Sequence, residues 1–324
     1  MDFQKFTLGE NDTGRRLDKV VRKFLPLLPL SLIYKNIRSG FIRLNGKKTS
    51  AETKTALSDE LWIASSILEQ NRPEFTTEKE THQTLNIDTV FKNQHIWVIN
   101  KPYGIPVQKA QKGQLSLDTV IKSKYITESA DSSLSFKPGP LHRLDTCTTG
   151  LLAFSQSLAG AQWFSDAIAQ HKIKKTYTGI LEGRLASSMR WEDNIEQDKS
   201  SKAKTFRSMT VSQAGKTALT EVIPLAYGTY ANKPITLAEF HIQTGRTHQI
   251  RVQSAFHGFP LLGDTVYKSS VSLTSKGLQR YFLHARYLEI PKDNPVDLPE
   301  KLTAELPVQF NHFLSSCLIE TPNE

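Results

Sequence analysis

The sequence predicts an α+β protein in two parts, a small basic module followed by a much larger second domain. Three observations carry that expectation. Helical spacings alternate with short extended runs along the whole chain. Positive charge is concentrated in one N-terminal segment, and a polar stretch without apolar periodicity separates that segment from the remainder.

A chain of 324 residues can build a large domain and a small accessory one. Its 38% hydrophobic and 23% charged residues are an ordinary globular balance. The longest apolar run, Phe24 to Ile33, holds Pro26 and Pro29 and is about half the length of a membrane span. The N-terminus lacks the apolar core of a signal peptide. Cys147 and Cys317 lie far apart and form neither a disulfide framework nor a metal spacing. Together these features predict a soluble, reduced, cytoplasmic protein with no membrane partner, and we expect a monomer.

The formal net charge of +9 is unevenly spread. Between Thr13 and Ser50 stand ten Lys or Arg and one acid, Asp18, whereas the rest of the chain carries 31 basic and 31 acidic residues. Solubility does not require such segregation. A concentrated basic patch is what a phosphate backbone selects; a solvated helix face or a patch for anionic lipid is the plainer alternative.

From Arg15 onward Leu17, Val20, Val21, Phe24 and Leu25 recur at helical spacing, with Arg15, Arg16, Lys19, Arg22 and Lys23 mainly on the other side. Ser31 reads as the N-cap of a second helix that carries Lys35 and Arg38, turns Ile33 and Ile37 inward and ends at Gly40. Phe41 to Leu44, including Arg43, reads as a strand. Asn45-Gly46 makes a tight turn and Lys47-Lys48 its basic exit. Leu61 to Ile63 is a further strand. Residues 1–64 thus form the module, 65–86 a linker and 87–324 the second domain.

In that domain Ile87 to Phe91 and His95 to Asn100 are extended and lead into Lys101-Pro102-Tyr103-Gly104, a turn signal. Next comes Leu141-His142-Arg143-Leu144-Asp145-Thr146-Cys147-Thr148-Thr149-Gly150-Leu151-Leu152. If Pro140 to Asp145 is extended, Arg143 and Asp145 share one face and Leu144 takes the other. By itself that is a common, weak surface ion pair. Ser157 to His171 has the pattern of an amphipathic helix, with Leu158, Ala161, Phe164 and Ile168 inward. Lys174 to Ile180 reads as a strand with Tyr177 at its middle, a position where tyrosine usually serves packing. Trp191 to Lys204 is polar and predicts an exposed loop; Thr217 to Ala226 and Ile235 to Gln243 predict paired strands. Thr244-Gly245-Arg246-Thr247-His248-Gln249-Ile250-Arg251-Val252 is a glycine turn feeding a helix, an arrangement that offers backbone donors to an anion. His248 and His257 lack any metal-binding spacing, and no dinucleotide fingerprint or phosphate-cradling loop is present, so no cofactor and no metal are expected.

The Leu141 to Leu152 stretch strongly resembles the active-site motif of the RluA family of RNA pseudouridine synthases. Lys101-Pro102-Tyr103-Gly104, Lys175-Thr176-Tyr177 and Gly245-Arg246-Thr247-His248-Gln249-Ile250-Arg251 resemble further blocks of that family in the expected order. Gly263-Asp264-x-x-Tyr267, Leu283-His284-Ala285 and Leu306-Pro307-x-x-Phe310 continue it. Residues 13–64 resemble the small S-four-type RNA-binding module, and that combination resembles the RluC and RluD types, which act on large-subunit ribosomal RNA. The resemblance implies a catalytic domain with a central mixed, largely antiparallel sheet flanked by helices and a cleft between its halves. It implies an isomerase that converts uridine to pseudouridine without cofactor or energy source. Asp145 is then the catalytic carboxylate, Tyr177 the aromatic against the target uracil, and Arg246 the cation paired with Asp145. Arg143 helps to flip the nucleotide out. Arg15, Arg16, Lys19, Arg22, Lys35, Arg38, Arg43, Lys47 and Lys48 are the expected RNA contacts. The sequence departs from the family pattern at Thr146 and Cys147, where charged residues are usual, at Gln253, where histidine is usual, and in the loop Gln108 to Gln114. A transfer-RNA substrate, or an RNA-binding protein without activity, stays open at this point.

Overall fold

The computed structural model describes residues 2–71, 85–109, 111, 113–128, 133–198, 208–275 and 278–320. The N-terminal module contains β1 (Phe3–Thr7), α1 (Leu17–Phe24), α2 (Leu30–Ser39), β2 (Ile42–Leu44), β3 (Glu60–Ala64) and α3 (Ser65–Gln70). Its sheet has the order β1-β3-β2, and both strand pairs are antiparallel. Leu17, Val20 and Val21 of α1 and Ile33 and Ile37 of α2 enter one core with Ile42, Leu61 and Ile63 of the sheet. Asp18 ties the helices together: it accepts two hydrogen bonds from Arg16, at 3.1 and 3.0 Å, and one from the Tyr34 hydroxyl at 2.8 Å. Gly40 ends α2 in the left-handed conformation, φ 80°, which glycine adopts without steric cost.

Two local expectations change, and one strand carries no sequence signal. Helix α2 starts at Leu30 with Pro29 at its N-cap, not Ser31, because the fixed φ of proline already suits a helix entry. Ser65–Gln70, read as linker, is helical, and its Ile67 belongs to the module core. Within that stretch, residues 72–84 lie outside the described residues. Strand β1 has only Phe3 and Phe6 as apolar residues, three apart, so it shows no strand alternation; pairing with β3 extends it.

The module is fastened to the second domain through a buried carboxylate. Asp12 is fully buried and accepts hydrogen bonds from the Leu134 amide at 3.1 Å, the Ser135 amide at 2.9 Å, and the hydroxyls of Ser133 and Ser135. Arg15 donates to the Ser135 hydroxyl at 2.8 Å, and Asn11 accepts from the Leu158 amide at 2.8 Å. Asp12→Ala would strand several buried donors, at about 3 kcal/mol in all. The expected result is a lower melting temperature and faster proteolytic separation of the module. Unchanged proteolysis would show that these bonds do not hold the two parts together.

The second domain contains β4 (Thr89–Lys92), β5 (Ile96–Lys101), α4 (Leu117–Glu128), β6 (Thr149–Ser155), α5 (Leu158–Ala169), β7 (Lys174–Glu182), β8 (Met189–Gln197), β9 (Met209–Val211), β10 (Lys216–Tyr230), β11 (Lys233–Ile242) and α6 (Gln249–Phe256). After α6 come β12 (Thr274–Ser275), β13 (Leu278–Gln279), β14 (Leu283–Glu289), β15 (Lys301–Thr303), α7 (Val308–Cys317) and β16 (Leu318–Glu320). Eleven strands form one sheet in the order β4-β5-β6-β14-β7-β11-β10-β8-β9, with β15 on β14 and β16 on β10. Strands β6 and β14 pair in parallel, and the other neighbours in that sheet are antiparallel. The mixed, largely antiparallel sheet is thus present.

That parallel junction positions the site. It is short, Thr149 and Gly150 against His284 and Ala285, and very close: a β-carbon at Gly150, φ 105°, would lie 2.2 Å from the Ala285 carbonyl oxygen. Only glycine fits there. Beyond the junction β6 separates from β14, and the segment before it folds back along the strand, with Leu141 N donating to Ala153 O at 2.8 Å. The loop carrying Asp145 therefore lies where the sheet divides. The predicted exposed loop over Trp191 to Lys204 is corrected over its first part. Met189–Gln197 is strand β8, with Trp191 fully buried. Trp191 and Ile195 stand four apart among polar neighbours, so the period of two is invisible until β10 pairs with the strand. Residues 199–204 of that stretch lie outside the described residues.

Candidate active site

Asp145 sits in an irregular segment just before β6, not in a strand. The expected division of faces holds there nonetheless: Leu144 is buried, Arg143 is exposed, and the Asp145 side chain is 18% exposed. A carboxylate in that position keeps access to the cleft while its surroundings are mostly protein.

Lys101, at the end of β5, fixes the loop from below. It is 1% exposed, and its Nζ donates to the carbonyls of Pro102 at 3.0 Å, Thr146 at 2.9 Å and Thr148 at 2.9 Å. Those three bonds use the three hydrogens of an ammonium. Burial draws the Lys101 pKa down to about 7, against the opposing pull of Cys147 and Asp145. Gly104 N adds a bond to Thr146 O at 3.0 Å. The Lys-Pro turn thereby acts as a clamp on the backbone that follows Asp145.

From the other side α6 supplies the counter-charge. Arg251 Nη1 lies 3.2 Å from Asp145 Oδ2. The same guanidinium donates through Nε and Nη2 to both oxygens of Asp264, at 2.6 and 3.0 Å. Its guanidinium carbon lies over the rings of Tyr267, at 4.8 Å, and Tyr281, at 4.6 Å. Burial opposes the charge of Arg251, but Tyr281 and the bonds to Asp264 outweigh it and raise its pKa. Asp264 is fully buried, so the ion pair is rigid. It presents one remaining guanidinium edge to Asp145 without a choice of rotamer.

His248 completes this side. It occupies the left-handed N-cap of α6, φ 54°, a conformation uncommon outside glycine. Its Nε2 lies 3.6 Å from Asp145 Oδ1, and its Nδ1 is 2.7 Å from the Tyr267 hydroxyl. Burial lowers the His248 pKa; Asp145 pulls it upward, and Arg251 and Arg143 push it further down. Tyr177 on β7 and Tyr281 are both buried, and both phenols are raised first by burial and then by the charge of Asp145. Tyr177 is therefore a neutral, buried aromatic that feels the charge of the Asp145 carboxylate.

The expectation for Arg246 is corrected. Arg246 is exposed, and its Nε donates to the Thr217 carbonyl at 2.9 Å; the cation against Asp145 is Arg251. Arg246 lies on the turn before α6, whereas Arg251 is the third residue of the helix and projects to the core side. Gln253, a departure from the family pattern, has a structural place. Its oxygen accepts from Thr220 at 2.7 Å, and its nitrogen donates to Asp193 at 2.7 Å and the Ala218 carbonyl at 3.2 Å, tying α6 to β8 and β10. Cys147 is half-buried against Tyr103, and burial raises its thiol pKa. Among the expected RNA contacts, Lys19, Arg22, Lys35, Arg38, Lys47 and Lys48 are exposed. Three arginines serve the fold: Arg15 at the module junction, Arg16 on Asp18, and Arg43 on the Gly40 carbonyl with its guanidinium 4.6 Å from the Phe3 ring. Arg251, Asp264, His248, Tyr267 and Tyr281 are site residues that sequence reasoning missed, although the first four lie in blocks that carry the family resemblance.

A carboxylate held by a buried arginine, beside a buried tyrosine and at the division of a mixed sheet, is an arrangement suited to acid–base or nucleophilic chemistry, and the family match makes the chain an RNA-modifying enzyme. The chain belongs to the RNA pseudouridylate synthase family, whose profile matches residues 95–256. The ribosomal large subunit pseudouridine synthase C of Rickettsia bellii is 30% identical over 304 residues, 91% of this chain and 96% of its own length. Ribosomal large subunit pseudouridine synthase D of Xylella fastidiosa is 26% identical over 321 residues, 96% of this chain and 91% of its own length. Among solved structures, human RNA pseudouridylate synthase domain containing 1 shares the fold, with a TM-score of 0.55 and 23% identity over 73% of this chain and 89% of that one.

Proposed function

We propose that this protein isomerises uridine to pseudouridine in large-subunit ribosomal RNA, with Asp145 acting at the sugar of a flipped nucleotide. The observation that carries this reading is the Asp145–Arg251–Asp264 chain, a partly exposed carboxylate held by a buried cation that is itself locked in place. In the reaction the bond from ribose to the uracil nitrogen breaks, the base rotates, and a bond from ribose to a ring carbon replaces it. The ring carbon loses its proton and the freed nitrogen gains one, so no redox partner is needed. Extruding the base from a helix costs a few kcal/mol. Tyr177 offers a face to the extruded uracil, worth about 1–3 kcal/mol, and exposed Arg143 fills the vacated space or grips the adjoining backbone. The names of the relatives from Rickettsia bellii and Xylella fastidiosa support the ribosomal substrate.

The test is tritium release from ring-labelled uridine in unmodified ribosomal and transfer RNA. Release from large-subunit RNA is the expected result. Release from transfer RNA alone would keep the chemistry and overturn the substrate, and no release from either would leave an RNA-binding protein.

The basic module serves to hold RNA in this reading, with no metal required and a single chain sufficing. Replacing Lys19, Arg22, Lys35, Arg38, Lys47 and Lys48 by Gln leaves Arg15, Arg16 and Arg43 to maintain the fold. RNA affinity is expected to fall, and the slope of log affinity against log salt to shrink by about 0.7–0.9 for each phosphate that is no longer neutralised. A slope identical to that of the wild type would remove the module from RNA recognition.

A further inference from the structure

Lys175, two residues before Tyr177 on β7, plays no part in the site described above. It is half-buried, and among the described residues its ammonium has neither a carboxylate nor a hydrogen-bond acceptor. Burial lowers its pKa, with no acidic neighbour to offset the effect. The group lies between two loops that carry site residues. Its charge reaches His142, three residues before Asp145, and its Nζ closes against Gly245 in the turn before His248 and Arg251. The space over Gly245 is otherwise open: a β-carbon there would meet a single heavy atom within 4 Å, Lys175 Nζ at 3.4 Å. The ammonium of this half-buried lysine keeps contact with solvent, and it borders a gap that glycine leaves free at an exposed turn.

We infer that Lys175 and the turn at Gly245 form a phosphate subsite, which takes a backbone phosphodiester of the RNA next to the flipped nucleotide. The inference rests on the RNA-substrate reading above and adds to it a contact inside the catalytic domain. A phosphate oxygen over Gly245 would take the place of solvent at the ammonium and give it a charged acceptor. Because the phosphate stays bound throughout the reaction, the contact strengthens substrate binding and leaves the chemical step alone.

Two variants test this in steady-state turnover and in direct binding of an unmodified large-subunit RNA transcript. Lys175→Met removes the charge with little change in volume, and Gly245→Ala keeps the charge but fills the gap; Gly245 lacks the positive φ that would make alanine strained. Each is expected to raise KM about tenfold, the worth of one charge-assisted hydrogen bond, with kcat within about twofold. For Lys175→Met the salt slope of binding should also fall by about 0.7, and the melting temperature should hold, since no ion pair among the described residues is lost and the ammonium already meets solvent. Wild-type KM and salt slope in both variants would overturn the subsite, as would a lowered melting temperature for Lys175→Met with no effect of Gly245→Ala. If the wild type binds RNA but releases no tritium, the function reading fails while the binding arm still decides the fate of Lys175.

Discussion

Asp145→Asn is expected to abolish turnover, by about 10⁴-fold or more, while RNA binding and the folded state survive. The reasoning starts from what the change leaves in place. An asparagine has the shape of the aspartate and can still accept from Arg251 through its oxygen. The clamp from Lys101 acts on the backbone of Pro102, Thr146 and Thr148, not on the side chain of residue 145. Arg251 keeps its bidentate partner Asp264, so the variant does not leave a buried guanidinium without compensation. Only the negative charge goes. Whether the carboxylate attacks the sugar or removes one of its protons, a neutral amide performs neither step. Tritium release and thermal melting on the same preparation check this. Turnover within about tenfold of wild type in a folded variant would take Asp145 out of the chemistry, and collapse of the fold would show that its charge is structural.

The outcomes differ between residues for physical reasons. Asp145 is legible in the sequence because a chemical motif and a two-residue alternation agree: Leu144 inward and Arg143 outward is what the segment does, even without strand pairing. Tyr177 is legible as part of a spaced block. Arg251 stands in such a block too, yet the sequence points to Arg246 in its place. The reason lies in α6, where Gln249, Ile250, Arg251, Val252, Gln253 and Ser254 are all buried. A helix buried all round has no amphipathic face to show which of its polar residues look inward. Their partners, Thr220, Asp193 and Asp264, come from strands and turns outside the helix, and no local pattern announces them. Asp12 follows the same logic. Its acceptors are filled by Ser133 to Ser135, more than a hundred residues away, so a surface acid by composition is the bolt between two parts of the molecule.

The two arginines of the third block should therefore separate sharply. Arg251→Met strips the fully buried Asp264 of the guanidinium that fills both of its oxygens among the described residues. An uncompensated buried carboxylate destabilises by about 3–5 kcal/mol, and turnover should vanish with the loss of the group facing Asp145. Arg246→Gln gives up one bond from an exposed side chain to a backbone carbonyl, worth about 1 kcal/mol or less, and kcat should stay within a few-fold of wild type. The decisive variant is the double change Arg251→Met with Asp264→Leu. Replacing a buried ion pair by apolar groups of similar size is often neutral for stability, so the melting temperature should return towards wild type. Turnover should not return, because Asp145 still lacks its cation. Recovery of both would mean that Arg251 supports the fold alone. Recovery of stability without activity places Arg251 with Asp145 in the machinery, with Asp264 as the residue that holds Arg251 in place.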